Sequence, residues 1–161
     1  MKSVLFASFL LVFLMACGGG ASTGDGAKKN PYSTDEKTAS GNPSYDPARG
    51  EGKWSADNVK LNPTLDAAMA EAGGKVREVK CASCHKLTDE KLVGPGWKGV
   101  TSRHKPEWIM NFITNPDPMI TKDPKMQAQL EICLVRMPNQ NLTDDEARQI
   151  LEFMRKNDGV Q

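Results

Sequence analysis

The sequence predicts an all-α domain of about four helices. Three observations lead there. From about residue 63 onward, apolar residues recur at the spacing of one helix face rather than in alternation. No window alternates convincingly as a strand. Helix-start chemistry also stands where the periodic segments begin: Pro106, Asp123–Pro124, and a Thr143/Glu146 capping box.

Before that domain the chain reads differently. Lys2 followed by the short apolar run Val4 to Met15 is a secretory pattern, too short to span a bilayer. It ends in "LMAC", which resembles a bacterial lipobox. The resemblance implies a signal peptide over 1–16 and acylation of Cys17, anchoring the chain to a membrane without crossing it. The expected location is the periplasmic face of a membrane. Residues 18–45 are rich in Gly, Ser, Thr, Lys and Pro and carry too little apolar surface to offset ordering entropy, so they read as a flexible tether. Its r.m.s. reach is roughly 30 Å. Residues 46–62 contain Trp54, Val59 and Leu61 and read as an extended arm lying on the domain, which itself spans 63–161.

Each helix has its own signature. Leu65, Ala68, Met69, Ala72, Val76 and Val79 make one face of a first helix. Gly73 and Gly74 interrupt it at about 1 kcal/mol each relative to alanine, which suggests close approach of another helix backbone. A second helix begins near Pro106, turns Trp108, Ile109, Phe112 and Ile113 inward, and stops before Pro116. The next starts at Asp123 and Pro124, lines one face with Met126, Leu130, Cys133, Leu134 and Met137, and ends at Pro138. The last buries Ala147, Ile150, Leu151 and Met154.

Removal of Lys2 with the signal leaves 20 basic residues (21 less one) against 20 acidic. That balance argues against a nucleic-acid partner. It hides an asymmetry: residues 80–105 carry six basic and two acidic side chains, and residues 139–153 one basic and four acidic. Such a dipole orients encounter with a charged partner.

Of four cysteines, lipid takes Cys17, and Cys133 stands alone as a small buried residue, so no disulfide framework is expected. Cys81 and Cys84 fall in "CASCH". Zinc needs four ligands, and no second pair stands at short spacing. A redox dithiol needs a strand–helix setting and leaves His85 without a purpose. A c-type haem uses all three residues: the thiols add to the vinyl groups and the adjacent histidine reaches the iron. Haem attachment outside the cytoplasm agrees with the export signal. A buried macrocycle also supplies an apolar centre to a chain with only five Phe and three Trp.

Residues 65–158 resemble a class I monohaem cytochrome c on the motifs "CASCH", "GPGWKGV" at 94–100 and "MP" at 137–138 before a capped C-terminal helix. The wider stretches "DPARGEGKW" and "RMPNQNLTDDEARQILEFMRKND" resemble lipoprotein cytochromes c of Bacteroidetes-type bacteria, including ones encoded beside nitrous oxide reductase. The resemblance implies a cytochrome c-like fold around one covalent haem c and His85 as an axial ligand of the iron. It implies that the Pro95 carbonyl accepts from His85, and that Arg103 and Trp108 hydrogen-bond the propionates. It implies helix crossing at Gly73 near Phe153. The chain departs from the family at Arg77, where an aromatic usually precedes the first haem cysteine by four residues.

The sixth ligand decides between carrier and enzyme. Met69, Met110, Met119, Met126, Met137 and Met154 remain after processing. Met137, at a helix end before Pro138 and at the family's ligand position, is the first choice. Met119, in the loop "NPDPMITKD", and His104, expected at the surface, are the others. A thioether ligand stabilises ferrous iron and closes it to substrate. The expected function is therefore a non-enzymatic, monomeric electron carrier serving redox proteins: a respiratory complex, a terminal oxidase or a nitrous oxide reductase-like enzyme. The alternatives are a haem enzyme or gas-binding protein with an open sixth position, and a cytochrome subunit of a larger complex.

Overall fold

Helix-start residues meet the backbone donors they were expected to meet. A computed structural model describes residues 44–161, in which six helices and no strand occur. Cys17 and the signal and tether residues up to 43 lie outside the described residues. The helices are α1 (Ala67–Lys80), α2 (Val100–Arg103), α3 (Pro106–Thr114), α4 (Pro116–Lys122), α5 (Pro124–Cys133) and α6 (Asp144–Asn157). Asp66 caps α1 by accepting from the Met69 amide. Asp123 caps α5 by accepting from the Lys125 amide. Thr143 and Glu146 cap α6 reciprocally, at 3.2 and 2.9 Å. No helix among the described residues is long and apolar enough to cross a membrane.

The pairing of α1 with α6 is the most extensive in the fold. It rests on Gly73, which is buried. A Cβ there would overlap the Gln149 carbonyl and stand 2.9 Å from the Ile150 amide nitrogen. The crossing at Gly73 thus lies one helical turn before the expected contact, and it is Gly74 that faces Phe153. The buried line of α1 follows Ala70 and Gly73, with Met69, Ala72 and Val76 beside it. Ala68 is exposed and Val79 is 84% exposed, contrary to the periodicity reading. Close backbone approach rotates the small residues inward at the expense of larger ones. On α6, Ala147, Ile150, Leu151 and Met154 are all buried as expected.

Two short helices were not anticipated. Val100–Arg103 is one turn following Gly99, whose φ of 74° reverses the chain. Residues 116–122 read as a loop because of their two prolines. Both prolines sit in the first turn of α4, where a missing N–H costs nothing. Met119 is therefore a fully buried helical residue. α5 is shorter than expected. Leu134 takes φ 60° and ends it, so Leu134 is 84% exposed and Met137 lies in the non-helical segment between α5 and α6.

The folded unit extends back to the first described residues. Tyr45 and Val59 belong to the core, with Trp54 and Leu61 partly buried against it. Tyr45, which composition assigns to the tether, donates its hydroxyl to Asp123 at 2.7 Å. Asp123 also accepts from Trp108 Nε1 at 3.4 Å, so one buried carboxylate ties the arm to α3 and to the start of α5. Asn111 accepts from the Trp54 amide and donates to the Arg49 and Trp54 carbonyls. At the far end of the arm, Arg155 donates to the Asn62 carbonyl and to Glu152. Burial alone would raise the Glu152 pKa. Hydrogen bonds from Arg155, the Asp66 amide and Arg148 outweigh that and hold it below the usual carboxylate range.

Candidate haem-attachment site

The end of α1 runs directly into the CASCH turn. The amides of Cys84 and His85 both donate to the Cys81 carbonyl, at 3.1 and 3.0 Å. This tight turn carries both thiols and the imidazole. Cys81 and Cys84 are not joined in a disulfide. Cys81 is buried, and burial pushes its thiol up to about 11 against the opposing charges of Arg77 and Lys80. Addition of each S–H across a vinyl double bond, sulfur to one carbon and hydrogen to the other, would form the two thioethers of a covalent haem.

His85 is held by the loop that follows. Its Nδ1 lies 2.8 Å from the Pro95 carbonyl. A carbonyl only accepts, so Nδ1 carries the proton and Nε2 keeps its lone pair. Burial, reinforced by Arg77, lowers the His85 pKa and keeps the ring neutral, although the Pro95 bond acts the other way. Gly94 is required by this ring. A Cβ there would stand 2.8 Å from Nδ1 and 3.0 Å from Nε2. The loop is fixed by backbone bonds from Gly94 to Cys84 and from Trp97 to Lys86, both 2.9 Å. Trp97 packs its ring 5.8 Å from His85 and 6.4 Å from Phe153, joining the loop to α6.

Two thiols, a histidine with a free Nε2, and a glycine-walled ring position suit a covalent haem. Among the described residues, no group of three or more His, Cys, Asp or Glu is placed to hold a metal ion. Cys133 is half-buried and accepts from Gln129 Nε2 at 3.0 Å, so it is neither the buried apolar residue expected nor a fourth ligand beside the motif.

The remaining candidates fall into separate groups. Arg103 donates to the Lys98 and Gly96 carbonyls, so it braces the GPGWK loop. Trp108 is buried and stacks between His104, 3.8 Å away at 14°, and Phe112, 5.1 Å away at 10°. His104 is thus half-buried against Trp108 rather than standing free at the surface. Burial first, then the charges of Arg103 and Lys125, push its pKa down to about 4. Met119 is fully buried, and a Cβ at Gly50 would stand 2.9 Å from its sulfur. Met137 is partly buried against the core. Its neighbour Arg136 binds Asp117 at 2.7 Å and Thr121 at 3.0 Å, which anchors the segment to α4. Arg136 was not singled out from sequence. A lone arginine between Val135 and Met137 signals nothing until α4 is seen beside it.

The cytochrome c family model matches residues 70–158. The chain is similar to a solved cytochrome c from Rhodothermus marinus: 35% identity and a TM-score of 0.61, covering 65% of this chain and 89% of that one. It is similar to an engineered form of that cytochrome at 34% identity and a TM-score of 0.60, covering 65% and 90%. No curated protein is similar enough to match. The family match begins inside α1 and ends at the close of α6, so it encloses the turn, the imidazole and the loop that walls it. The chain belongs to the cytochrome c family, and its cofactor is haem c, bound covalently in the Cys81–Cys84 arrangement.

Proposed function

We propose that this protein is a monomeric one-electron carrier, exported and held by a lipid on Cys17 at the periplasmic face of a membrane. Its iron is ligated by His85 and Met137. The observation that carries the closed-iron reading is that the rival ligands are committed elsewhere. Met119 packs its thioether against Gly50, and His104 stacks on Trp108. Met110, Met126 and Met154 are buried on core helices. Of the methionines among the described residues, Met137 alone stands outside a helix, at the core's edge, with Arg136 holding its segment in place.

Haem supplies a one-electron iron couple; the chain supplies the rest. The Pro95 carbonyl orients His85 and leaves Nε2 directed to a ligand. Met137 offers a neutral sulfur, which favours ferrous iron. A face for redox partners lies beside the attachment loop. Leu92 (47% exposed), Ile132 (52%), Leu134 (84%) and Val135 (54%) are apolar and open to solvent. Lys91 Nζ donates to the Ile132 carbonyl at 3.1 Å, which joins the two halves of this patch. A small apolar patch with basic neighbours suits a transient encounter burying less than about 1,200 Å². The partners that fit are a respiratory complex, a terminal oxidase or a nitrous oxide reductase-like enzyme.

Carbon monoxide tests the closed iron. The reduced wild-type protein is expected to keep its spectrum under the gas. Met137→Ala is expected to bind it rapidly and to lose the near-infrared sulfur-to-iron band of the oxidised form. Rapid, complete binding by the wild type would replace the carrier with an enzyme or gas-binding protein. Cell fractionation tests the anchor. Cys17→Ser is expected to move the holoprotein from the membrane to the soluble fraction with its haem spectrum intact; a variant still in the membrane pellet would contradict lipidation.

A further inference from the structure

Arg77 has no part in the roles described so far. It stands in the last turn of α1, four residues before Cys81, and its side chain is only 14% exposed. It grips the attachment turn at both ends. Its backbone carbonyl accepts the amides of Cys81 and Ala82, at 2.9 and 3.0 Å. Its Nη2 donates to the carbonyl of His85 at 2.9 Å. One residue therefore brackets the motif from first cysteine to histidine.

Its charge is poorly neutralised. Nη1 meets Glu78 at 2.9 Å, but that carboxylate is 73% exposed and screened by water. Nε is buried without a partner. Lys80, the next cation along the helix, is by contrast paired with Glu146 at 2.9 Å. Burying a guanidinium with one donor unmet costs free energy. An apolar side chain of similar length would serve stability at least as well.

We infer that Arg77 is a positioning residue for the axial histidine and a fixed positive charge that biases the haem iron toward its ferrous state. The inference rests on the carrier reading above. Ferric iron carries one more positive charge than ferrous, so a nearby fixed cation disfavours oxidation, more strongly in a low dielectric.

The test is a spectrophotometric redox titration of haem-loaded wild type, Arg77→Met, Arg77→Gln and Arg77→Lys, with the absorption spectrum of each reporting ligation. At a fixed ambient potential, Arg77→Met and Arg77→Gln are expected to raise the ferric-to-ferrous ratio about three- to tenfold, tenfold being about 59 mV for a one-electron couple. Arg77→Lys, which keeps the charge, is expected to stay within about twofold of wild type. An unchanged ratio in a folded, haem-loaded neutral variant overturns the inference. So does a shift in Arg77→Lys as large as in Arg77→Met. If Arg77→Met does not fold, the contrast of Arg77→Gln with Arg77→Lys decides the matter. A wild type without haem would sink the carrier reading itself, whereas a haem-loaded wild type with unmoved variants sinks only the role of Arg77.

Discussion

Gly73→Ala is expected to lower the thermal midpoint of the holoprotein by about 10 °C. Helix propensity alone predicts the opposite, since alanine gains about 1 kcal/mol over glycine in a helix interior. The crossing with α6 reverses the sign. A methyl group at residue 73 would overlap the Gln149 carbonyl, and the Ile150 nitrogen is 2.9 Å away. Both obstacles are backbone, which cannot rotate aside as a side chain can. Overpacking of this kind costs about 3 kcal/mol, leaving about 2 kcal/mol of net loss. At about 4–8 °C per kcal/mol for a small domain, that is the shift expected. Gly74→Ala is the internal control. Its Cβ would meet ring carbons of Phe153 at 3.2 and 3.3 Å. The Phe153 ring can yield, so the two effects nearly offset and the midpoint should move by only a few degrees. A Gly73→Ala melt coincident with wild type would mean that α1 and α6 do not approach as closely as described.

The paired substitution Cys81→Ala, Cys84→Ala is expected to give a colourless chain whose helical ellipticity falls by more than about half and whose melt loses cooperativity. A covalently held haem stays attached to the unfolded chain too, so it stabilises the fold through the apolar surface buried and the iron ligation gained only in the folded state. The side chains around the motif do not form a self-sufficient centre. Val79, two residues before Cys81, is 84% exposed. His85 makes one polar contact through its ring, to Pro95. The Tyr45–Asp123–Trp108 cluster ties the arm to α3 and α5 rather than to the attachment turn. Full helical signal with a cooperative melt in the haemless variant would show that the peptide folds by its own core.

Several features were legible in the residues because their causes are local. The capping box at Thr143 and Glu146, the cap at Asp123 and the proline start at Pro106 involve atoms a few residues apart. The buried stripe of α6 followed from periodicity because its neighbours are ordinary side chains. The stripe of α1 did not, since at Gly73 the neighbour is a backbone. α4 was hidden by Pro116 and Pro118, which read as a turn but sit at the helix start. The end of α5 at Leu134 was missed because a left-handed leucine has no sequence signature. His104 was misplaced at the surface because its flanking charges say nothing of Trp108, four residues on and stacked against it.

The sequence by itself determined the covalent chemistry: two thiols and an imidazole within five residues, in a helical chain with an export signal and no second ligand pair, point to haem c rather than zinc or a redox dithiol. The expectation of a Pro95 carbonyl at His85 also came from sequence, through family resemblance, and the hydrogen bond is present. Only the tertiary structure decided that Arg77 reaches the His85 carbonyl, that Arg136 anchors the Met137 segment to α4, and that Asp123 gathers Tyr45 and Trp108. Those contacts join residues from 8 to 78 positions apart. The physical reason is range. Turn geometry and thiol addition are settled by bonded neighbours, whereas the partner of a buried charge is whichever group the packed helices bring within 3 Å or so of it.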